Sequence, residues 1–133
     1  LNTEFIETVN VAPIYIALLG LMFVPMTMII GFYRFKNKID IGDNGDKKLF
    51  RMIRSQANFV ETVPIAAILL LTMDLLGASD ALIHAMGATL VISRLLHYVG
   101  LSRLGPFIAR PLGMIGTFTV YVVCSIAVFY VLI

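Results

Sequence analysis

Four apolar runs, each near the length needed to cross a bilayer, take up nearly all of this 133-residue chain. A membrane core is spanned by about 20 apolar residues in a helix, so four spans and their connections leave no room for a separate soluble domain. Only 14% of the residues are charged, against roughly 25% in soluble domains, too few to cover a globule in water. The expected fold class is all-α: an integral membrane four-helix bundle. It forms a single membrane domain over 1–133, with helices at approximately 11–33, 48–76, 81–101 and 107–133.

Local punctuation agrees with that division. Pro13 falls in the first turn of the first run, where a missing N–H costs little, whereas Pro25 and Pro64 lie inside runs and predict bends. The stretch around Gly42 and Gly45 is rich in Asp and Asn and reads as a loop, and Ser79 or Asp80 can N-cap the third helix. Gly87, Ala88, Gly113 and Gly116 are small enough for neighbouring helices to approach closely. The single cysteine, Cys124, has no partner for a disulfide and reads as a small lipid-facing or packed residue. Residues 1–10 carry Glu4 and Glu7 but no Lys or Arg; without a basic n-region the first run is expected to be a retained helix.

The 10 basic residues are distributed unevenly. Arg34, Lys36, Lys38, Lys47, Lys48, Arg51 and Arg54 flank the first connection, and Arg94, Arg103 and Arg110 flank the third. The N-terminus, the turn at 77–80 and the C-terminus have none. Short loops rich in Lys and Arg stay cytoplasmic, so both termini are expected on the periplasmic side and the basic ends at the cytoplasmic face. Basic residues spread over membrane-flanking positions argue against nucleic acid as a partner.

The informative polar pattern lies on the second helix. Arg51, Arg54, Asn58 and Glu61 fall within an arc of roughly 80° on one face. Arginines at a helix end are ordinarily interfacial anchors, but Asn58 and Glu61 lie deeper, where an acid at a helix centre costs about 2.5–3.5 kcal/mol by insertion scales. Arg54 is two turns from Glu61, roughly 10 Å by helix rise, so Asn58 or a basic residue of another helix is the expected partner of the acid. The third helix adds Arg94 and His97 one turn apart on one face; His84, near its other end, reads as structural or exposed. With Arg34 closing the first helix and Arg110 opening the fourth, every helix brings arginine to one membrane face. Such a cluster suits a polar anion held by charge-assisted, often bidentate bonds, beside an apolar bundle open to a lipophilic small-molecule substrate. No metal ligation is expected.

At these residues the sequence resembles the MAPEG family, membrane-associated proteins in eicosanoid and glutathione metabolism, and most of all its small bacterial branch. Arg54-Ser55-Gln56-Ala57-Asn58-Phe59-Val60-Glu61-Thr62-Val63-Pro64 is similar to the family's R-x-x-x-N-x-x-E-x-x-P signature, and Arg94-Leu95-Leu96-His97-Tyr98-Val99-Gly100 resembles its R-x-x-H-x-x-G stretch. The resemblance implies a homotrimer in the inner membrane, with glutathione as co-substrate between neighbouring protomers. It implies glutathione binding by Arg54, Asn58 and Glu61, with Arg34, Arg51, Arg94 and His97 contributing. An arginine early in the fourth helix, matched by Arg110 with Arg103 as the alternative, is implied to stabilise the thiolate. Some family enzymes carry a tyrosine where this chain has Leu101, and Tyr98 points about 60° away from that position.

The leading functional reading is a glutathione transferase, with peroxidase activity as an extension, acting on lipophilic electrophiles. A non-catalytic membrane protein binding glutathione or anionic lipid at the same arginines is the alternative. A small multidrug transporter ranks last, because those proteins carry their essential glutamate in helix one and this chain carries Glu61 in helix two.

Overall fold

The computed structural model describes residues 9–133, and within them the chain is built from helices α1 (Ala12–Asn37), α2 (Lys47–Leu75), α3 (Asp80–Leu101) and α4 (Ala109–Leu132). Each is long and apolar enough to cross a membrane. Glu4 and Glu7 lie outside the described residues.

The boundaries have local causes. Pro13 sits in the first turn of α1, which continues past the expected end near residue 33 to Asn37; Lys38 then closes it in a left-handed conformation, φ 56°, with its N–H on the Arg34 and Phe35 carbonyls. The Asp46 side chain accepts hydrogen bonds from the Lys48 and Leu49 N–H groups and starts α2, satisfying two of the donors that a helix N-terminus leaves free. Ser79 occupies the N-cap of α3, but its side chain makes no capping hydrogen bond. The fourth helix begins at Ala109, two residues later than the sequence suggests, because the chain around Pro106 is still turning. Pro25 and Pro64 both remain inside their helices.

The core lies along the inner faces of all four helices. Leu19 and Met26 of α1 join Phe59, Val63, Ala66, Leu70 and Met73 of α2, Ile83 and Leu90 of α3, and Val120 and Cys124 of α4. Cys124 is thus a buried packing residue. A smaller cluster of Ile30, Leu49 and Met52 packs beneath the α1–α2 connection. At the opposite end, the buried Asp74 carboxylate of α2 accepts the Val11 and Ala12 N–H groups at 3.0 and 2.7 Å. That contact places a negative charge at the positive end of the α1 dipole. On α3, His84 is exposed and its Nδ1 is 2.8 Å from the Tyr15 hydroxyl.

The helices α3 and α4 make the most extensive pairing. A Cβ added at Gly113 would lie 2.4 Å from the Ser93 carbonyl oxygen and 2.6 Å from the His97 nitrogen, so only hydrogen at that position allows the two backbones to meet. One turn toward the basic end, a Cβ on Gly100 would fall 2.4 Å from the Arg110 nitrogen. The close approach at these glycines fixes where the first turn of α4 sits, and with it Arg110.

Candidate functional site

The residues of the expected arginine cluster separate into distinct environments. Arg94 is 1% exposed. Its guanidinium Nη1 donates to Asn58 Oδ1 at 3.0 Å and Thr62 Oγ1 at 2.8 Å, and Nη2 donates to the Gly113 carbonyl at 3.1 Å. One α3 side chain therefore joins α2 to α4, and each of these oxygen partners is a neutral dipole. The Arg94 Nε has no partner. Tyr121 of α4 completes this layer by donating its hydroxyl hydrogen to the Thr62 carbonyl. His97, one turn along α3, is also buried, packed where Gly113 crosses.

Glu61 lies elsewhere. It pairs with Arg54 of its own helix at 3.7 Å, and the two side chains are 47% (Arg54) and 55% (Glu61) exposed. This corrects the expectation that Asn58 or a basic residue of another helix partners the acid. The rise between the two backbones is bridged because both long side chains extend along the helix axis toward each other. Asn58 is turned to Arg94 instead.

Arg51 and Arg110, from α2 and α4, line one hollow of about 390 Å³ together with Gly100, Leu101, Arg103, Gly105 and Phe107. All three charged residues around it are arginines. Arg103 is in a left-handed conformation, φ 61°. Leu101 faces this hollow, whereas Tyr98 lines a different, apolar groove with Met22, Pro25, Met26 and Leu95. No tyrosine is among the residues lining the three-arginine hollow.

Arg34 stays with its own connection, where Nη2 donates to the Gly42 carbonyl at 3.1 Å. That connection is further fixed by Tyr33, whose hydroxyl donates to Asp46 at 2.8 Å. The Asp46 carboxyl is held below the usual aspartate range, mainly by the Leu49 N–H and then by the Tyr33 hydroxyl. A second apolar groove, about 350 Å³, runs between α1 and α2 along Ile16, Gly20, Phe23, Phe59, Val60 and Pro64. Val60 on its wall is the chain neighbour of Glu61.

The residue pattern of α2 and α3, now set in a four-helix frame, matches a known family over almost its whole length. The model of the MAPEG family matches residues 12–130. The chain belongs to the MAPEG family. Within it, the sequence is 33% identical over 90 residues to the inner membrane protein YecN of Escherichia coli strain K12, covering 68% of this chain and 69% of that protein. The protein of the same name from Escherichia coli O6:H1 strain CFT073 matches to the same extent. Family membership and four apolar helices together make this a multi-pass membrane protein.

Reasoning from sequence missed two members of the polar layer, Thr62 and Tyr121, and the Asp74 anchor at the opposite end of the bundle. Thr62 lies one turn beyond Asn58, a spacing that puts both on one face and was available as a signal. Tyr121 carried none, because nothing in an apolar run shows which helix a hydroxyl will meet. Asp74, a buried acid near a helix end, needs donors, and its position at the end of the second run was the available signal.

Proposed function

We propose that this MAPEG member is a membrane-bound glutathione transferase that joins the glutathione thiolate to lipophilic electrophiles, with reduction of lipophilic hydroperoxides as an extension. The observation that carries the reading is the Arg54–Glu61 pair, left half-exposed on a membrane-length helix. Ionisable side chains within a span are functional candidates by default, because their desolvation needs compensation. A zwitterionic γ-glutamyl group offers a carboxylate to Arg54 and an ammonium to Glu61, matching both signs of the pair.

Asn58 belongs to the same binding stripe, and the buried Arg94, with His97 beside it, acts by holding that amide in place. Arg51 and Arg110 attract the remaining negative charge of the tripeptide. A thiol of ordinary pKa near 8.5 is mostly protonated at neutral pH; a guanidinium at Arg110 favours the thiolate and releases the proton to water. The thiolate sulfur then forms a bond to the electrophilic carbon, and the displaced electron pair leaves with the departing group. With a hydroperoxide, the thiolate attacks the terminal oxygen, and a second glutathione forms the disulfide while alcohol and water are released. The apolar α1–α2 groove suits the lipophilic partner. In this reading the protein is a homotrimer in the inner membrane with its basic end cytoplasmic and its termini periplasmic, and Arg34, which does not line the three-arginine hollow of its own protomer, reaches glutathione bound by a neighbour.

A second reading, binding without turnover, is favoured by Leu101 at a hollow where some family enzymes resemble one another in carrying tyrosine. One experiment separates the two: glutathione binding by calorimetry beside turnover of a general aryl halide electrophile. Binding that weakens in Arg54→Ala and Glu61→Ala, together with turnover, supports the enzyme. Binding without turnover leaves the second reading, and no glutathione binding by the wild type removes the enzyme and leaves only an anionic lipid as ligand. Thiolate absorbance on titrating glutathione assigns Arg110: equal signals in wild type and Arg110→Ala would rule out its role at the sulfur.

A further inference from the structure

Pro25 offers no N–H to the Leu21 carbonyl, and its ring crowds that turn of α1. Beside it the bundle packs loosely: α1 and α3 make a far less extensive pairing than α3 and α4. Between α1 and α3 runs a groove of about 290 Å³, walled by Met22, Pro25, Met26 and Ile29 of α1 and by Leu95 and Tyr98 of α3. Leu104, exposed in the turn after α3, stands at its mouth. None of these residues lines the α1–α2 groove or the three-arginine hollow.

The wall has a direction. Both α1 and α3 run toward the basic end, so Ile29, Tyr98 and Leu104 lie nearer that end and Met22 lies deeper in the span. Tyr98 is three residues from the end of α3, roughly 5 Å by helix rise. Its carbonyl accepts the Ser102 hydroxyl at 2.7 Å, but its phenol hydroxyl has no hydrogen-bond partner among the described residues. A tyrosine packed with its ring in an apolar setting ordinarily finds a partner for that group, and here the remaining lining side chains are hydrocarbon or thioether. The acceptor must come from the bilayer side. Met22 and Met26 supply flexible, polarizable walls that adapt to an irregular occupant. The volume sits at the lower edge of small-molecule sites, roughly 300–1,000 Å³, and suits a single hydrocarbon chain better than a fused-ring body.

We infer that the α1–α3 groove holds one acyl chain of a membrane phospholipid, with the Tyr98 hydroxyl donating to the ester carbonyl at the head of that chain. The ester of a phospholipid lies where headgroup meets hydrocarbon, the depth at which the last turn of a spanning helix and its tyrosines sit. From there the chain passes Ile29 and Leu95 and ends against Met26 and Met22, a path of roughly 10 Å along α1 by helix rise. No charged residue lines the groove, so recognition rests on the ester and the chain and not on headgroup charge. The site therefore stands apart from the glutathione reading and from anionic lipid at the arginines, and depends on neither.

Native mass spectrometry of the full chain tests this, by counting phospholipid retained per chain after detergent exchange and titration with phosphatidylcholine or phosphatidylglycerol. The wild type should retain one phospholipid per chain with similar affinity for the two headgroups. Tyr98→Phe removes only an unpartnered hydroxyl, so it folds, and it should weaken retention by about two- to tenfold, the loss of one neutral hydrogen bond. Leu95→Trp fills the groove and should abolish retention, while Ile126→Trp, at an exposed position of α4, should leave it unchanged. Thermal unfolding of each variant reports whether it folds, and Tyr98→Phe alone decides the matter if Leu95→Trp does not. The inference is overturned if the wild type retains no phospholipid, or retains only phosphatidylglycerol, which would assign the lipid to the arginines. Wild-type retention in Tyr98→Phe would make that hydroxyl an ordinary interfacial group and overturn it too. So would a Leu95→Trp variant that keeps its lipid but changes oligomeric mass, which would show a second copy of the chain covering the groove.

Discussion

The guanidinium of Arg94 donates to the amide oxygen of Asn58 at 3.0 Å, so the two family-signature residues of α2 and α3 meet within one chain. Arg94 also holds Thr62 and the Gly113 carbonyl, and its burial leaves no water to replace a lost partner. Removing one side of such a contact exposes a charged donor to the full desolvation penalty, about 1–3 kcal/mol or more. Asn58→Ala, Arg94→Met and the double variant should therefore show a coupling energy of about 1–3 kcal/mol in denaturant unfolding in detergent. Additive losses would mean that the contact contributes nothing specific.

The exposed pair should behave in the opposite way. Arg54 and Glu61 are about half exposed at 3.7 Å, and exposed ion pairs contribute roughly 0–1 kcal/mol to stability. Glu61→Gln and Arg54→Ala are expected to unfold within about 0.5 kcal/mol of wild type while glutathione affinity falls at least about tenfold, or about 1.4 kcal/mol. A large stability loss with unchanged affinity would make the pair a structural brace.

Asp74 supplies a control at the far end of the bundle. Its buried carboxylate holds the first two N–H groups at the start of α1, so Asp74→Ala should cost on the order of 2 kcal/mol and speed hydrogen exchange at Val11 and Ala12. Glutathione affinity should not change. Unaltered exchange at both amides would show that α1 needs no such anchor.

The basic end should weaken in acid. Asp46 is depressed below the usual aspartate range by the Leu49 N–H and Tyr33 hydroxyl, so its ionised form is favoured in the folded protein. The resulting stabilisation is complete above the unfolded aspartate value, about pH 4, and disappears as pH falls through the lower folded value. The Tm gap between wild type and Asp46→Ala should be widest near neutrality and close as pH falls below about 4. A gap that persists unchanged in acid would place the effect outside the carboxylate's charge.

Much was legible from sequence because the bilayer restricts the choices. Run length fixes the number of spans, the uneven arginines and lysines mark one end of the bundle, and helical periodicity puts Arg51, Arg54, Asn58 and Glu61 on one stripe. Periodicity says which direction a residue faces and is silent on what it meets. Only packing decided that Asn58 turns to Arg94 while Glu61 turns back to Arg54, that Gly100 and Gly113 let α4 close on α3, and that Arg103 joins Arg51 and Arg110 around one hollow. The physical reason is reach: side chains of several ångströms choose partners across helix interfaces and turns, and those distances exist only after the helices have packed.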